Sequence, residues 1–197
     1  METILGSFLS FLLLYKYTAL FVISFFAAFL LPLPSSSTLA ASGAFASQGY
    51  FSLVVVLFVA LLGNVVGDLA GYFLARRYGE GFMSKIGFKK VFSSRYYKSV
   101  VDYLTGAPHS LIFFSRFLPE VGPAVNILAG ITGVPVRTFL VVDIIGEVFY
   151  VLLYGLVGFF MGSGWESNMS FLLEGGMVML SLGIVMALIQ YLLFRAR

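Results

Sequence analysis

The residues of this 197-residue chain that could do chemistry are a few charged side chains inside apolar sequence. Arg116 lies in the apolar stretch 109–118, and Asp68 lies in the apolar stretch 50–75. A guanidinium can bind a phosphate through two parallel hydrogen bonds, and a carboxyl removed from water can carry a proton. Because a charge inside an apolar segment is costly, we expect Arg116 to bind an anion and Asp68 to exchange protons.

Each of these two residues also has a structural alternative. Glu120 stands four residues after Arg116, so the two side chains would pair if one helix continued through both. Arg76 stands two helical turns after Asp68 and could extend its charged end along the helix towards that carboxyl. In either case the charged side chain would have a structural role within the fold.

Asp143 and Glu147 form a second acidic pair in apolar sequence. Their spacing of four residues places both carboxyls on one face of a helix. The pair could bind a cation or share a proton, or it could form ion pairs with Arg116 or Arg137. We therefore group both acids with Asp68 as candidates for proton or ion coupling.

Composition places these residues in a membrane. The chain is 60% hydrophobic and only 11% charged, which is too apolar for a soluble domain of this size. Its apolar runs are long and do not alternate, so they predict helices instead of a β-barrel. The sequence therefore predicts an all-α integral membrane protein with a single membrane domain over residues 1–197.

Two apolar segments are interrupted by prolines before they are long enough to cross a bilayer. The first break separates residues 18–31 from residues 38–48, and the second separates residues 109–118 from residues 124–134. The first break contains Pro32 and Pro34, and the second contains Pro119 and Pro123. Each pair of pieces predicts a re-entrant hairpin that enters the membrane, breaks and returns to the same side.

The two hairpins belong to halves that resemble each other. Matching positions include Gly43 with Gly130 and Gly63 with Gly146. Each hairpin is followed by a transmembrane helix, over 50–75 and 136–162, and a C-terminal transmembrane helix is expected over 170–194. The predicted units are repeat 1 (about 3–78), a basic segment (79–105) and repeat 2 (about 106–162). Because the hairpins open to opposite sides, the repeats are inverted, which is a recurring transporter design.

Charge predicts the orientation of the chain. Seven of its Lys and Arg residues fall between positions 76 and 98. The positive-inside rule therefore places segment 76–98 and the basic C-terminus in the cytoplasm.

Composition also excludes several kinds of site. The chain has no cysteine and one histidine, His109, so no disulfide and no multi-histidine metal site can form. No nucleophile–base pair is visible, so we expect no enzymatic activity, and we expect no cofactor. The net charge of +3 is too small and too local to indicate nucleic-acid binding.

Two stretches carry a resemblance to a known family. They are Phe113-Phe114-Ser115-Arg116-Phe117-Leu118-Pro119, followed by Ala129-Gly130, and Gly67-Asp68-Leu69-Ala70-Gly71-Tyr72, followed by Arg76-Arg77-Tyr78-Gly79. The chain resembles the DedA family of VTT-domain, or SNARE-associated, membrane proteins over roughly residues 20–163. The resemblance implies opposed re-entrant hairpins, proton-linked physiology and movement of lipids between leaflets.

The chain departs from the family pattern in each hairpin. Ser36 stands where the family usually has an acid, and Gly122 stands where it usually has a second Arg, so an acid and a base are missing together. Ser36 belongs to the hydroxyl-rich run 35–38, which we expect to cap the returning helix and secondarily to contact substrate.

Taken together, these observations predict a flippase or scramblase of lipid phosphates, either polyprenyl phosphate or phospholipid, coupled to protons. The substrate site would comprise Arg116, Glu120, Pro119 and Ser36, and the coupling acids would be Asp68, Glu147 and Asp143. Two alternatives stay open, a proton- or ion-coupled transporter of a small solute and a non-transporting structural or regulatory membrane protein. The expected partners are membrane lipids and protons, and a homo-oligomer is compatible with the sequence. The resemblance implies the bacterial inner membrane as the location.

Overall fold

Helices joined by short turns make up the described part of the chain, and no strand occurs among its residues, which confirms the predicted all-α class. The computed structural model describes residues 2–164 except positions 30, 32, 119 and 120. A π-helical turn covers Ser84–Phe88. The predicted C-terminal helix 170–194 lies outside the described residues. The helices are α1 (Glu2–Phe29), α2 (Ser35–Ser47), α3 (Leu53–Met83), α4 (Lys89–Phe92), α5 (Tyr97–Gly106), α6 (Pro108–Ser115), α7 (Val121–Ile131) and α8 (Val136–Gly164).

Two helices in the described ranges, α3 and α8, are long and apolar enough to cross a membrane. Their outer faces carry large apolar side chains, of which Val54 is 76% exposed and Phe58 is 63% exposed. Buried positions on the same helices include Asn64, Asp68 and Glu147. Large apolar groups on the outer faces, with ionisable groups among the buried residues, form the arrangement expected when lipid is the solvent.

Both proline-containing breaks separate helices in the structure. α1 ends at Phe29 and α2 begins at Ser35, and α6 ends at Ser115 and α7 begins at Val121. The helices after the breaks therefore start about three residues earlier than predicted. A proline cannot donate a backbone hydrogen bond, and its ring clashes with a preceding helical turn, which explains the interruptions.

The predicted capping of α2 by hydroxyl groups is wrong. Among the described residues, no side chain caps the N-terminus of α2. Thr38 Oγ1 instead donates a 2.8 Å hydrogen bond to the carbonyl of Pro34, one turn back. Ser42 makes the same kind of bond to the carbonyl of Thr38, at 2.9 Å. Hydroxyls inside a helix commonly bond back in this way, so they are not available for the helix end.

The helices pack in a reciprocal pattern. α1 packs along α3, and α6 packs along α8. The helices after the breaks exchange partners, since α2 packs along α8 and α7 packs along α3. Each long helix therefore contacts one piece from each broken segment, and both breaks are brought to the α3–α8 contact.

Glycines make two of these crossings possible. A Cβ atom at Gly43 would lie 2.2 Å from the carbonyl oxygen of Gly155, and one at Gly130 would lie 2.3 Å from that of Tyr72. No side chain fits at such distances, so only glycine allows these backbones to touch. Gly155 follows Gly146 by nine residues, as Tyr72 follows Gly63, so the two crossings occupy matching positions of the two halves.

Candidate functional site

Four charged side chains from three parts of the chain meet inside the helix bundle. Arg116 directly follows α6, Asp68 lies on α3, and Asp143 and Glu147 lie on α8. Arg116 Nη1 is 2.8 Å from Asp68 Oδ2 and 3.4 Å from Glu147 Oε1, and Nη2 is 2.8 Å from Asp143 Oδ1. All four side chains are at most 5% exposed. We call these four residues the charged cluster.

Two glycines leave room for Arg116. A Cβ atom at Gly146 would lie 3.0 Å from Cγ of Arg116, so a side chain there would displace the arginine. A Cβ atom at Gly122, at the start of α7, would lie 3.6 Å from Nη1. The position where the family usually has a second Arg is therefore beside the guanidinium, and glycine leaves that space open.

Two buried asparagines form hydrogen bonds with the charged cluster, and the sequence analysis identified neither of them. Arg116 Nη2 donates to Oδ1 of Asn126 on α7, and Nδ2 of Asn126 donates to Oδ1 of Asp68. Asn64 Nδ2 donates a 2.6 Å hydrogen bond to Glu147 Oε2. Both asparagines lie in apolar sequence, and a polar amide buried there is costly unless it is hydrogen-bonded. Their position was therefore the signal that could have identified them as site residues.

Acids outnumber bases in the charged cluster. Arg116 is the cation in every ion pair formed within the described ranges, and it faces three carboxyls. Nη1 of Arg116 contacts both Asp68 Oδ2 and Glu147 Oε1, so these two carboxyls lie close together. Two ionised carboxyls held close together repel each other, and a proton on one of them relieves the repulsion. The geometry is therefore suited to holding and exchanging protons.

The charged cluster borders a cavity of about 890 Å³. Arg116, Asp68 and Glu147 line it, and so does Ser36, one of the candidate substrate residues from the sequence. Asp143 contacts Arg116 but is not part of the lining. The other polar or charged residues of the lining are Ser35, Asn64, Lys90, Ser115, Tyr150 and Tyr154.

The structure decides between several alternatives from the sequence. Asp68 pairs with Arg116, so the expected alternative of an Asp68–Arg76 arrangement is wrong. Arg76 instead donates one hydrogen bond to the hydroxyl of Tyr72 and another, of 3.1 Å, to the carbonyl of Val134. Asp143 and Glu147 pair with Arg116. The predicted site residues Pro119 and Glu120 lie outside the described residues, so the Arg116–Glu120 alternative stays a prediction.

Comparisons with known proteins identify related chains. A model of the VTT domain matches residues 33–160. The chain is 29% identical over 185 residues to Protein DedA of Escherichia coli (strain K12), across 92% of this chain and 81% of that protein. It is 24% identical over 134 residues to Undecaprenyl phosphate transporter A of Bacillus subtilis (strain 168), across 68% of each chain. A Staphylococcus aureus (strain NCTC 8325 / PS 47) protein of the same name is 25% identical over 150 residues, across 74% of this chain and 72% of that protein. No solved structure matches the chain.

Proposed function

Because the chain belongs to the DedA family of VTT-domain membrane proteins and is a membrane transporter of DedA type, we propose that its cargo is a lipid phosphate. The cargo would be a polyprenyl phosphate or a phospholipid, which the protein moves between leaflets as a flippase or scramblase. The names of the relatives in Bacillus subtilis and Staphylococcus aureus support this substrate class.

A buried arginine beside a cavity is the observation that carries the proposal. The Arg116 side chain is 3% exposed, and the residue lines the cavity next to the carboxyls of Asp68 and Glu147. A phosphate group would compete with these carboxyls for the guanidinium, which binds both kinds of anion through the same planar donors. Substrate binding would then replace internal ion pairs with an ion pair to the head group.

Two helix N-termini border the same cavity. Ser35 and Ser36 belong to the first turn of α2, and Gly122 and Pro123 belong to the first turn of α7. The first N–H groups of a helix have no partner within it and carry a partial positive charge. Both broken segments would therefore add favourable potential for an anionic head group, as the broken helices of other transporters do.

One wall of the cavity is apolar and exposed at its edge. Leu31, Leu33 and Leu118 line the cavity and are 48%, 38% and 40% exposed. A substrate with a charged head and a hydrocarbon tail could place the head at Arg116 and the tail along these leucines. This amphipathic lining favours a lipid over a small polar solute.

Protons would compensate the charge changes during transport. If all three acids of the charged cluster were ionised, three negative charges would face one positive charge. Adding a phosphate to that arrangement would increase the repulsion in a site of low dielectric. Proton uptake by Asp68, Asp143 or Glu147 would relieve it, so head-group binding and proton binding should favour each other.

The reciprocal packing supports an inverted-repeat mechanism. Each long helix holds one piece of each broken segment, and matching glycines mark the crossings of α2 with α8 and of α7 with α3. We propose that both broken segments are re-entrant hairpins, and that rocking of one repeat against the other alternates access to the cavity.

Transport of labelled lipid in liposomes tests the proposal. The protein is reconstituted, and transbilayer movement of a labelled lipid phosphate is measured with and without a pH gradient. We expect movement above that of empty vesicles, and we expect Arg116→Ala to abolish it. Arg137→Ala, at an exposed position, is the matched control and should keep wild-type transport.

Two results would overturn the proposal. Lipid movement equal to that of empty vesicles, in conditions where the Bacillus subtilis relative is active, would remove lipid phosphates as cargo. Undiminished movement by Arg116→Ala would remove the arginine from the mechanism.

A further inference from the structure

A pair of hydroxyl groups lines the cavity next to the charged cluster. Ser35 Oγ and Tyr150 Oη are 3.2 Å apart, and both residues belong to the cavity lining. Tyr150 stands three residues after Glu147 on α8, so its side chain lies one helical turn from the charged cluster. Ser35 is the first residue of α2. The packing of α2 along α8 therefore creates this pair, which neither helix could form alone.

The hydroxyl pair keeps a hydrogen-bond donor for a ligand. Of two hydroxyls that bond to each other, one uses its proton in that bond and the other can donate elsewhere. Within the described ranges, the backbone N–H groups at the start of α2 also have no side-chain cap. The wall formed by Ser35, Ser36 and Tyr150 is thus rich in donors and has no negative charge.

A second observation also indicates a ligand that accepts hydrogen bonds. Nε of Arg116 is buried and has no hydrogen-bond partner among the residues that the structure describes. A buried donor without a partner costs about 1–3 kcal/mol, which a bound acceptor would recover. Arg116, Ser35 and Tyr150 all line the cavity, so the charged cluster and the hydroxyl pair both supply donor residues to it.

We propose that Tyr150 and Ser35 form a second donor arm, which binds one phosphate oxygen while Arg116 binds two others. This inference rests on the proposed function and adds selectivity to it. A phosphate monoester has three oxygens free to accept such bonds, whereas a phosphodiester has two. The planar fork of Arg116 uses two oxygens, so only a monoester offers the hydroxyl arm a third oxygen that it does not share with the guanidinium. The cavity therefore distinguishes lipid head groups by the number of free phosphate oxygens.

A comparison of two labelled lipids tests the second donor arm. Reconstituted full-length protein is given fluorescent phosphatidic acid, a monoester, or fluorescent phosphatidylglycerol, a diester, with the same acyl chains. We expect wild type to move the monoester faster. Tyr150→Phe keeps the ring and removes only the hydroxyl, so it should reduce that preference about tenfold, the effect of one hydrogen bond to a charged group.

Serine variants provide the matched control. Ser35→Ala should also reduce the preference, whereas Ser47→Ala, at the other end of α2, should leave it unchanged. A general packing defect would slow both lipids equally, so the ratio of the two rates separates selectivity from folding. An unchanged ratio in Tyr150→Phe, with both lipids moving, would overturn the donor arm and leave the proposed function standing. If wild type moves neither lipid, the proposed function fails and this inference fails with it.

Discussion

Asn64 of α3 donates a 2.6 Å hydrogen bond to Glu147 of α8, and each of the two residues directly follows a glycine that matches between the two halves. Residues at matching positions that touch each other would lie close to the axis relating the proposed repeats. At this matching position the first half has an amide, that of Asn64, and the second half has a carboxyl, that of Glu147. The site is therefore chemically asymmetric although the helices around it pack reciprocally.

Replacing the amide of this pair with a carboxyl should make transport depend on acid. In Asn64→Asp, two carboxyls would stand where a 2.6 Å hydrogen bond now forms, and they can remain so close only if they share a proton. We expect the pH optimum of lipid transport to move to lower values, with activity recovered as the pH falls. Transport rates measured between pH 5 and pH 9 would show this, and an unchanged profile would contradict it.

The two aspartates that pair with Arg116 should have different roles. Asp68 lines the cavity, whereas Asp143 contacts the guanidinium from outside the lining. Asp68→Asn should therefore slow transport strongly, by about tenfold for each lost charge-assisted hydrogen bond. Asp143→Asn should mainly lower the free energy of unfolding, by about 1–3 kcal/mol. Transport assays and denaturation of the same two variants in detergent measure both effects, and equal effects on transport would refute the distinction.

Close packing of α1 on α3 should depend on the glycine at position 67. A Cβ atom there would lie 2.4 Å from the backbone carbonyl oxygen of Phe25. Gly67→Ala must push α1 away, at a cost of about 1–3 kcal/mol. Gly81→Ala is the control further along α3, beyond the non-helical residue Gly79, since no atom lies within 4 Å of a Cβ at that position. Thermal unfolding followed by circular dichroism should show a lower melting temperature only for Gly67→Ala.

A second arginine beside Arg116 should reduce the need for protons. Gly122→Arg would place its side chain next to Nη1 of Arg116, since even a Cβ there would lie only 3.6 Å away. One more positive charge offsets one acid of the charged cluster, so fewer protons are needed to approach neutrality. Activity should therefore persist to higher pH than in wild type. Gly106→Arg, at an exposed site with open space, adds the same charge elsewhere and should leave the profile unchanged.

The sequence by itself determined the all-α class, the positions of the two helix breaks and which charged residues lie in apolar sequence. Prolines at fixed positions and long apolar runs set where helices end and which segments can cross a membrane, because these are local properties of the chain. The same reasoning identified Arg116 and Asp68, since a charge in apolar sequence is visible without a structure. It also singled out Ser36, which lines the same cavity as Arg116 and Asp68.

Only the tertiary structure decided how these groups combine. Asn64 bonds to a residue 83 positions away, and Asn126 bonds to Asp68 across 58 positions. Spacing along one helix offered Arg76 as a partner for Asp68, whereas the acids of α8 had Arg116 and Arg137 as alternatives. The structure pairs all three acids with Arg116. Ser35 was expected to help cap α2, but the same packing places its hydroxyl within hydrogen-bond distance of the hydroxyl of Tyr150. Helical periodicity is encoded locally, whereas contacts between helices depend on where glycines allow two backbones to touch, and that is fixed only when the whole bundle is assembled.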